Sequence, residues 1–110
     1  MFIDNNTRLH HMLNAAKEAV LFSANTSRID LDTNRMLTLS LVKCIEIVGE
    51  AAFRISTDCQ KELSQIPWSQ VIGMRNRLIH AYFEVNLDIV WDVITDDLPS
   101  LIVELEKNIQ

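Results

Sequence analysis

The chain has 110 residues, with 15 acidic and 10 basic side chains and a net charge of −5, which suits one domain spanning the whole length rather than two. Nearly half of it is apolar, enough for a core and too much for a disordered segment, while two glycines and two prolines are too few for the turns of a β-sandwich or barrel. No apolar run reaches the roughly 18–20 residues of a membrane span, and the N-terminal MFIDNNTRLHHM lacks the basic and apolar regions of a secretory signal.

The apolar spacing is helical almost throughout. In the first segment Leu9, Leu13, Ala16 and Val20 recur at i, i+4, i+7 and i+11, with Asn5, Asn6 or Thr7 as candidate caps and an end near residues 25–27. The loop RIDLDTNR follows, and Asp32, Thr33 or Asn34 can cap the next helix. That helix is expected over residues 36–56, with Leu37, Leu41, Ile45, Val48, Ala52 and Ile55 on one stripe. Leu39, Val42 and Ile47 widen the apolar surface, so the helix should pack on more than one neighbour. Gly49, Ala51 and Ala52 would let one of them come close. Lys43–Glu46 and Glu50–Arg54 are spaced to pair along the helix.

A short helical turn is expected over residues 61–66, and Pro67 suits the first turn of a third long helix reaching to about residue 83. Residues 86–109 carry a last stripe, Leu87, Trp91, Ile94, Leu98, Leu101, Leu105 and Ile109. Pro99 interrupts it, and because the phase survives, a kink or two helices end to end is expected rather than a reversal. The elements add up to an all-α, antiparallel bundle of four to five helices. Cys44 and Cys59 have no metal-ligand neighbours at finger-like spacing and read as reduced thiols of a cytoplasmic protein, one of them buried.

The charge is uneven. From Glu84 onward there are seven acids and one base, whereas residues 1–83 carry eight acids and nine bases. A nucleic-acid binder is usually basic overall, so this chain needs a local positive site in an acidic body. Residues 67–83 offer one, with Arg75, Arg77 and His80 and no acid.

On a helical projection of that segment, Trp68, Val71, Ile72, Leu78, Ile79 and Tyr82 gather on one side and Arg75 falls in their midst. Arg77 falls opposite, in the solvent sector, where it reads as a surface charge and a candidate phosphate contact. Asn76 and His80 are i,i+4 neighbours on the flank. A buried guanidinium costs several kcal/mol unless it is paired. Either Arg75 pairs with an acid of the bundle, Glu46 and Glu50 being the candidates, or the face is a cleft or a subunit interface rather than core. The adjacent His10 and His11 diverge by about 100° on a helix, a poor chelating geometry, and no metal site is expected.

Residues 66–90 read IPWSQVIGMRNRLIHAYFEVNLDIV. This block resembles the HEPN superfamily, and within it the HepT type of toxin ribonuclease, whose motif Arg-x4-His-x-Tyr is matched by Arg75, His80 and Tyr82 with a polar Asn76 after the arginine. CIEIVGEAAFRIS and VWDVITDDLP are similar to the flanking helices of the same proteins. The resemblance implies a homodimer whose two motif helices build a composite cleft. It implies metal-independent RNA cleavage, without a cofactor, leaving 2′,3′-cyclic phosphate and 5′-hydroxyl ends. Arg75 and His80 would be catalytic, with Asn76 in support. It also implies a type VII-like toxin–antitoxin system, in which a cognate minimal nucleotidyltransferase silences the toxin by transferring AMP to Tyr82. The competing expectation is a non-catalytic helical module that binds a nucleotidyltransferase or a nucleotide, which the overall acidity favours.

Overall fold

The computed structural model describes residues 3–81 and 84–109, without the side chains of His80 and Ala81. Asp4 caps α1 (Asn5–Phe22) by accepting a hydrogen bond from the Thr7 amide at 2.7 Å. That bond holds the Asp4 carboxyl below the ordinary carboxylate value. The cap is thus one residue ahead of those expected. Leu9, Met12, Leu13, Ala15, Ala16 and Ala19 form the buried side of the helix.

The short α2 (Asp30–Thr33) leads into α3 (Arg35–Arg54), where Asn34 provides the cap by accepting from the Leu37 amide at 3.1 Å. All six residues of the expected stripe, from Leu37 to Ile55, are buried. The helix packs against both α1 and α5 (Trp68–Leu78), as its wide apolar surface requires. A small residue at position 49 permits the close α3–α5 approach: a Cβ on Gly49 would stand 3.4 and 3.5 Å from the Val71 and Ile72 carbonyl oxygens, leaving room for a methyl but not for a larger side chain. Asn5 ties the start of α1 to the end of α3 through two hydrogen bonds of 3.0 Å to Ser56.

The expected turn at residues 61–66 is instead α4 (Thr57–Glu62), capped by Ser56, whose hydroxyl accepts from the Cys59 amide. Cys44 is buried and Cys59 half-buried, both free, and burial pushes both thiols above their ordinary value.

α1 ends at Phe22, short of the expected residues 25–27, and the largest departure from the sequence reading is at the end of α5. The helix expected to reach residue 83 ends at Leu78, and Ile79–Ala81 (β1) pairs antiparallel with Glu84–Val85 (β2). The Leu78 carbonyl takes its hydrogen bond from the Asn86 amide at 2.7 Å, across the hairpin. Ile79 and Val85, paired in the hairpin, both pack on the core. Asn86 then caps α6 (Leu87–Asp92) by accepting from the Asp88 and Ile89 amides. The reversal is thus complete within a few residues.

The interruption expected at Pro99 takes a specific form: between α6 and α7 (Leu98–Asn108), which run end to end, Val93–Asp97 winds as a π-helix, with the Leu98 amide donating to the Val93 carbonyl. The wider turn opens the ladder where the proline ring would otherwise meet the Thr95 carbonyl. Ile94, Leu98, Leu101 and Leu105 stay on one buried side, so the stripe keeps its phase, and α7 returns along α1. The architecture is an all-α bundle with one small hairpin, and no helix of the described residues is long and apolar enough to cross a membrane.

Gly49 gives a direct check on this packing. Gly49→Ala should stay within about 1 kcal/mol of the parent, since its methyl would sit in ordinary contact while helix propensity rises by about 1 kcal/mol. Gly49→Leu should lose about 1–3 kcal/mol by forcing α5 off α3. Urea unfolding followed by circular dichroism measures both, and equal stability of the leucine variant would contradict the close approach.

Candidate active site

The helix that carries the motif arginine is anchored at its start. Trp68 donates its indole N–H to the Leu63 carbonyl at 3.0 Å, and its ring packs on the core. From there Val71, Met74 and Leu78 form the buried seam of α5. The seam centres on Met74 and not, as the projection suggested, on Arg75. One residue later on a helix is about 100° further round, so Arg75 comes out of the core and stands at the border with α3.

Arg75 is 52% exposed, and its Nε donates to Glu46 Oε1 at 3.4 Å, with Glu46 itself 33% exposed. One of the two expected partners is therefore the observed one, and the face beyond it is a cleft. Among the described residues the Nη groups of Arg75 have no hydrogen-bond partner. Glu50 lies alongside, but its hydrogen bond goes to Arg54 one turn further on, at 2.9 Å.

The Arg75–Glu46 pair stands between two open clefts. One, of about 370 Å³, holds Asn76 together with Ile72 of α5 and Phe53 of α3. The other, of about 360 Å³, is walled by Arg8 and His11 of α1 and Lys43 of α3. Arg75, Glu46 and Glu50 line both. Arg77 is elsewhere: it donates to Asp97 of the π-helix at 2.8 Å and lines a separate cleft with Trp68 and Gly73.

The structure thus brings Arg75, Asn76, Glu46 and Glu50 together and sets Arg77 apart. Tyr82 and the His80 side chain lie outside the described residues. The backbone of His80 belongs to β1, so the expected i,i+4 relation between Asn76 and His80 on one helix does not hold; the helix has ended two residues earlier. Arg8 was not singled out in the sequence, Lys43 was read only as a helix-surface partner of Glu46, and His11 was considered only as a chelator. Their shared cleft depends on which helices are neighbours. Their one local signal is weak: Arg8 and His11 are i,i+3 on the side of α1 away from the Leu9–Leu13 stripe. Among the described residues no group of three His, Cys, Asp or Glu is placed to hold a metal ion.

An exposed guanidinium with two unengaged Nη groups is suited to gripping phosphate oxygens, which match its planar fork. The model of the HepT-like family, described as ribonuclease HepT-like, matches residues 12–108. The chain belongs to the HepT-like ribonuclease family. Two of the relatives that carry the printed name "Putative RNase" illustrate the likeness. One, from Methanocaldococcus jannaschii, is 29% identical over 98 residues, covering 89% of this chain and 90% of the relative. The other, from Caldanaerobacter subterraneus, is 33% identical over 102 residues, covering 93% and 88%. A "Probable ribonuclease HepT" from Thermococcus cleftensis is 35% identical over 78 residues, 71% of each chain. No solved structure matches the chain. Membership of the HepT-like family supports a ribonuclease function for this chain.

Proposed function

We propose that the chain is a metal-independent endoribonuclease whose active cleft is completed by a second copy, with Arg75 and His80 as the catalytic residues and Asn76 in support. The observation that carries this reading is the Arg75 guanidinium, half out of the protein beside two clefts in a chain of the HepT-like family. An exposed ion pair of this kind is worth about 0–1 kcal/mol to the fold, so stability gives little reason for an arginine there.

The chemistry needs no metal if the substrate supplies its own nucleophile. A neutral His80 takes the proton of an RNA 2′-hydroxyl, and that oxygen attacks the adjacent phosphorus. Arg75 neutralises the charge that builds on the phosphoryl oxygens. A protonated His80, from the other copy, gives its proton to the departing 5′-oxygen. One P–O bond forms and one breaks, leaving a 2′,3′-cyclic phosphate and a 5′-hydroxyl. The Nε contact to Glu46 supports this role by holding the guanidinium in one orientation while its Nη groups stay available. For Arg77 to meet phosphate as well, it would first have to leave Asp97.

A homodimer suits the outer side of α3. Leu39 and Phe53 are exposed there, and Phe53 lines the cleft of Arg75 and Asn76. A second copy covering this surface would bury apolar area and bring two motif segments together. As part of a toxin–antitoxin pair, a cognate nucleotidyltransferase would silence the enzyme. The Tyr82 hydroxyl would attack the α-phosphorus of ATP and expel pyrophosphate, and the attached AMP would occupy the place of RNA phosphate. The acidity of the chain favours a second reading, a non-catalytic module that binds a nucleotidyltransferase or a nucleotide.

The two readings part at the motif. Arg75→Ala and His80→Ala should each slow RNA cleavage by at least about a hundredfold while Arg75→Ala keeps its unfolding free energy within about 1 kcal/mol. Undiminished cleavage by His80→Ala would refute the catalytic assignment. Tyr82→Phe should cut RNA as the parent does and yet gain no AMP mass when incubated with the nucleotidyltransferase and ATP. Equal mass gain in both proteins would move the modification to another side chain.

A further inference from the structure

We propose that the cleft between α1 and α3 is a second phosphate subsite, in which Arg8 and Lys43 hold a backbone phosphate of single-stranded RNA next to the one engaged by Arg75. The proposal rests on the ribonuclease reading and extends it to substrate binding.

The charge balance in this cleft runs against that of the molecule. The chain carries a net −5, yet α1 supplies Arg8 and His11, α3 supplies Lys43 and α5 supplies Arg75 to one cleft. Its two carboxylates are already engaged, Glu46 by Arg75 and Glu50 by Arg54. Arg8 and Lys43 make no ion pair with any described carboxylate. Lys43 is spaced to reach Glu46 along its own helix, but Glu46 turns to Arg75 instead. Two cations are therefore left to face an anion from solution.

The place and size of the cleft fit a polyanion rather than a separate small ligand. It holds about 360 Å³, at the small end of the roughly 300–1,000 Å³ typical of ligand pockets, and it is open to solvent. It also continues into the site: Arg75, Glu46 and Glu50 line it and equally line the cleft of Asn76. A strand with one phosphate on Arg75 would thus lead its neighbouring phosphate towards Arg8 and Lys43. His11, exposed on the same wall, is within the cleft to donate a hydrogen bond to sugar or phosphate oxygen. Phosphate contacts of this kind set the register of the strand without reading its bases.

Salt dependence counts such contacts directly, because each cation that neutralises a phosphate releases counterions. A short fluorescein-labelled single-stranded RNA would be titrated, by anisotropy, into His80→Ala protein, whose turnover should be at least about a hundredfold slower. Adding Arg8→Ala and Lys43→Ala should flatten the slope of log affinity against log salt by about 1.4, from two contacts at about 0.7 each. Between about 50 and 200 mM salt the affinity deficit of that variant should therefore shrink about sevenfold. Arg8→Lys with Lys43→Arg should restore the slope, since it depends on charge. Lys43→Gln alone, at an exposed position, should flatten it by about 0.7, which keeps the test open if Arg8→Ala disturbs folding. A slope and affinity unchanged by all these variants, in a protein that still binds RNA, would overturn the subsite and leave the ribonuclease reading standing. Absence of RNA binding by the His80→Ala parent, with no cleavage by the wild type, would overturn both.

Discussion

Where α5 crosses α3, a Cβ on Gly49 would already touch the Val71 and Ile72 carbonyl oxygens at 3.4 and 3.5 Å. The position of the motif arginine depends on that close approach. It lays the start of α5 on the C-terminal half of α3, so that Val71, Met74 and Leu78 close the core. The residue after Met74 must then emerge at the helix–helix border. There Arg75 meets Glu46 and is held by one nitrogen. A wider spacing would turn the same arginine into an ordinary surface charge with nothing to orient it.

The acidic balance of the chain is compatible with an anion site because many of the acids are engaged away from it. Asp97 engages Arg77 on another side of α5. Asp88 binds Arg28, tying the segment before α2 to the start of α6, and Glu106 of α7 reaches Lys17 of α1. The clefts at Arg75 include two carboxylates, Glu46 and Glu50, each beside an arginine. Long-range repulsion from the other acids is screened over a Debye length of about 8–10 Å, so the local charge around Arg75 governs what binds there.

The helices and their buried stripes were legible in the sequence because apolar period and phase are local properties. The α3 stripe from Leu37 to Ile55 was read correctly for that reason, and Asn34 was one of the three candidate caps. The end of α5 was not legible. Apolar residues continue at helical spacing as far as Tyr82, and what stops the helix is a bond from the Asn86 amide to the Leu78 carbonyl, a tertiary event. The same limit misplaced Arg75, since the projection set Ile72, Ile79 and Tyr82 on the apolar side and left Met74 out of it. Asn76 and Glu46 were found near Arg75 because the motif and the need for a counter-charge pointed to them. Arg8 and Lys43 join the same cleft through the packing of α1 on α3, which no local pattern announces.

The proposed chemistry assigns an exposed arginine to RNA phosphate rather than to the fold, in a reaction driven by the substrate's own 2′-hydroxyl. The most direct measurement is end-group analysis of RNA cut by the purified wild-type protein in EDTA. The account predicts that cleavage persists and leaves 2′,3′-cyclic phosphate and 5′-hydroxyl termini. Loss of cleavage in EDTA, or products with 5′-phosphate and 3′-hydroxyl termini, would contradict it.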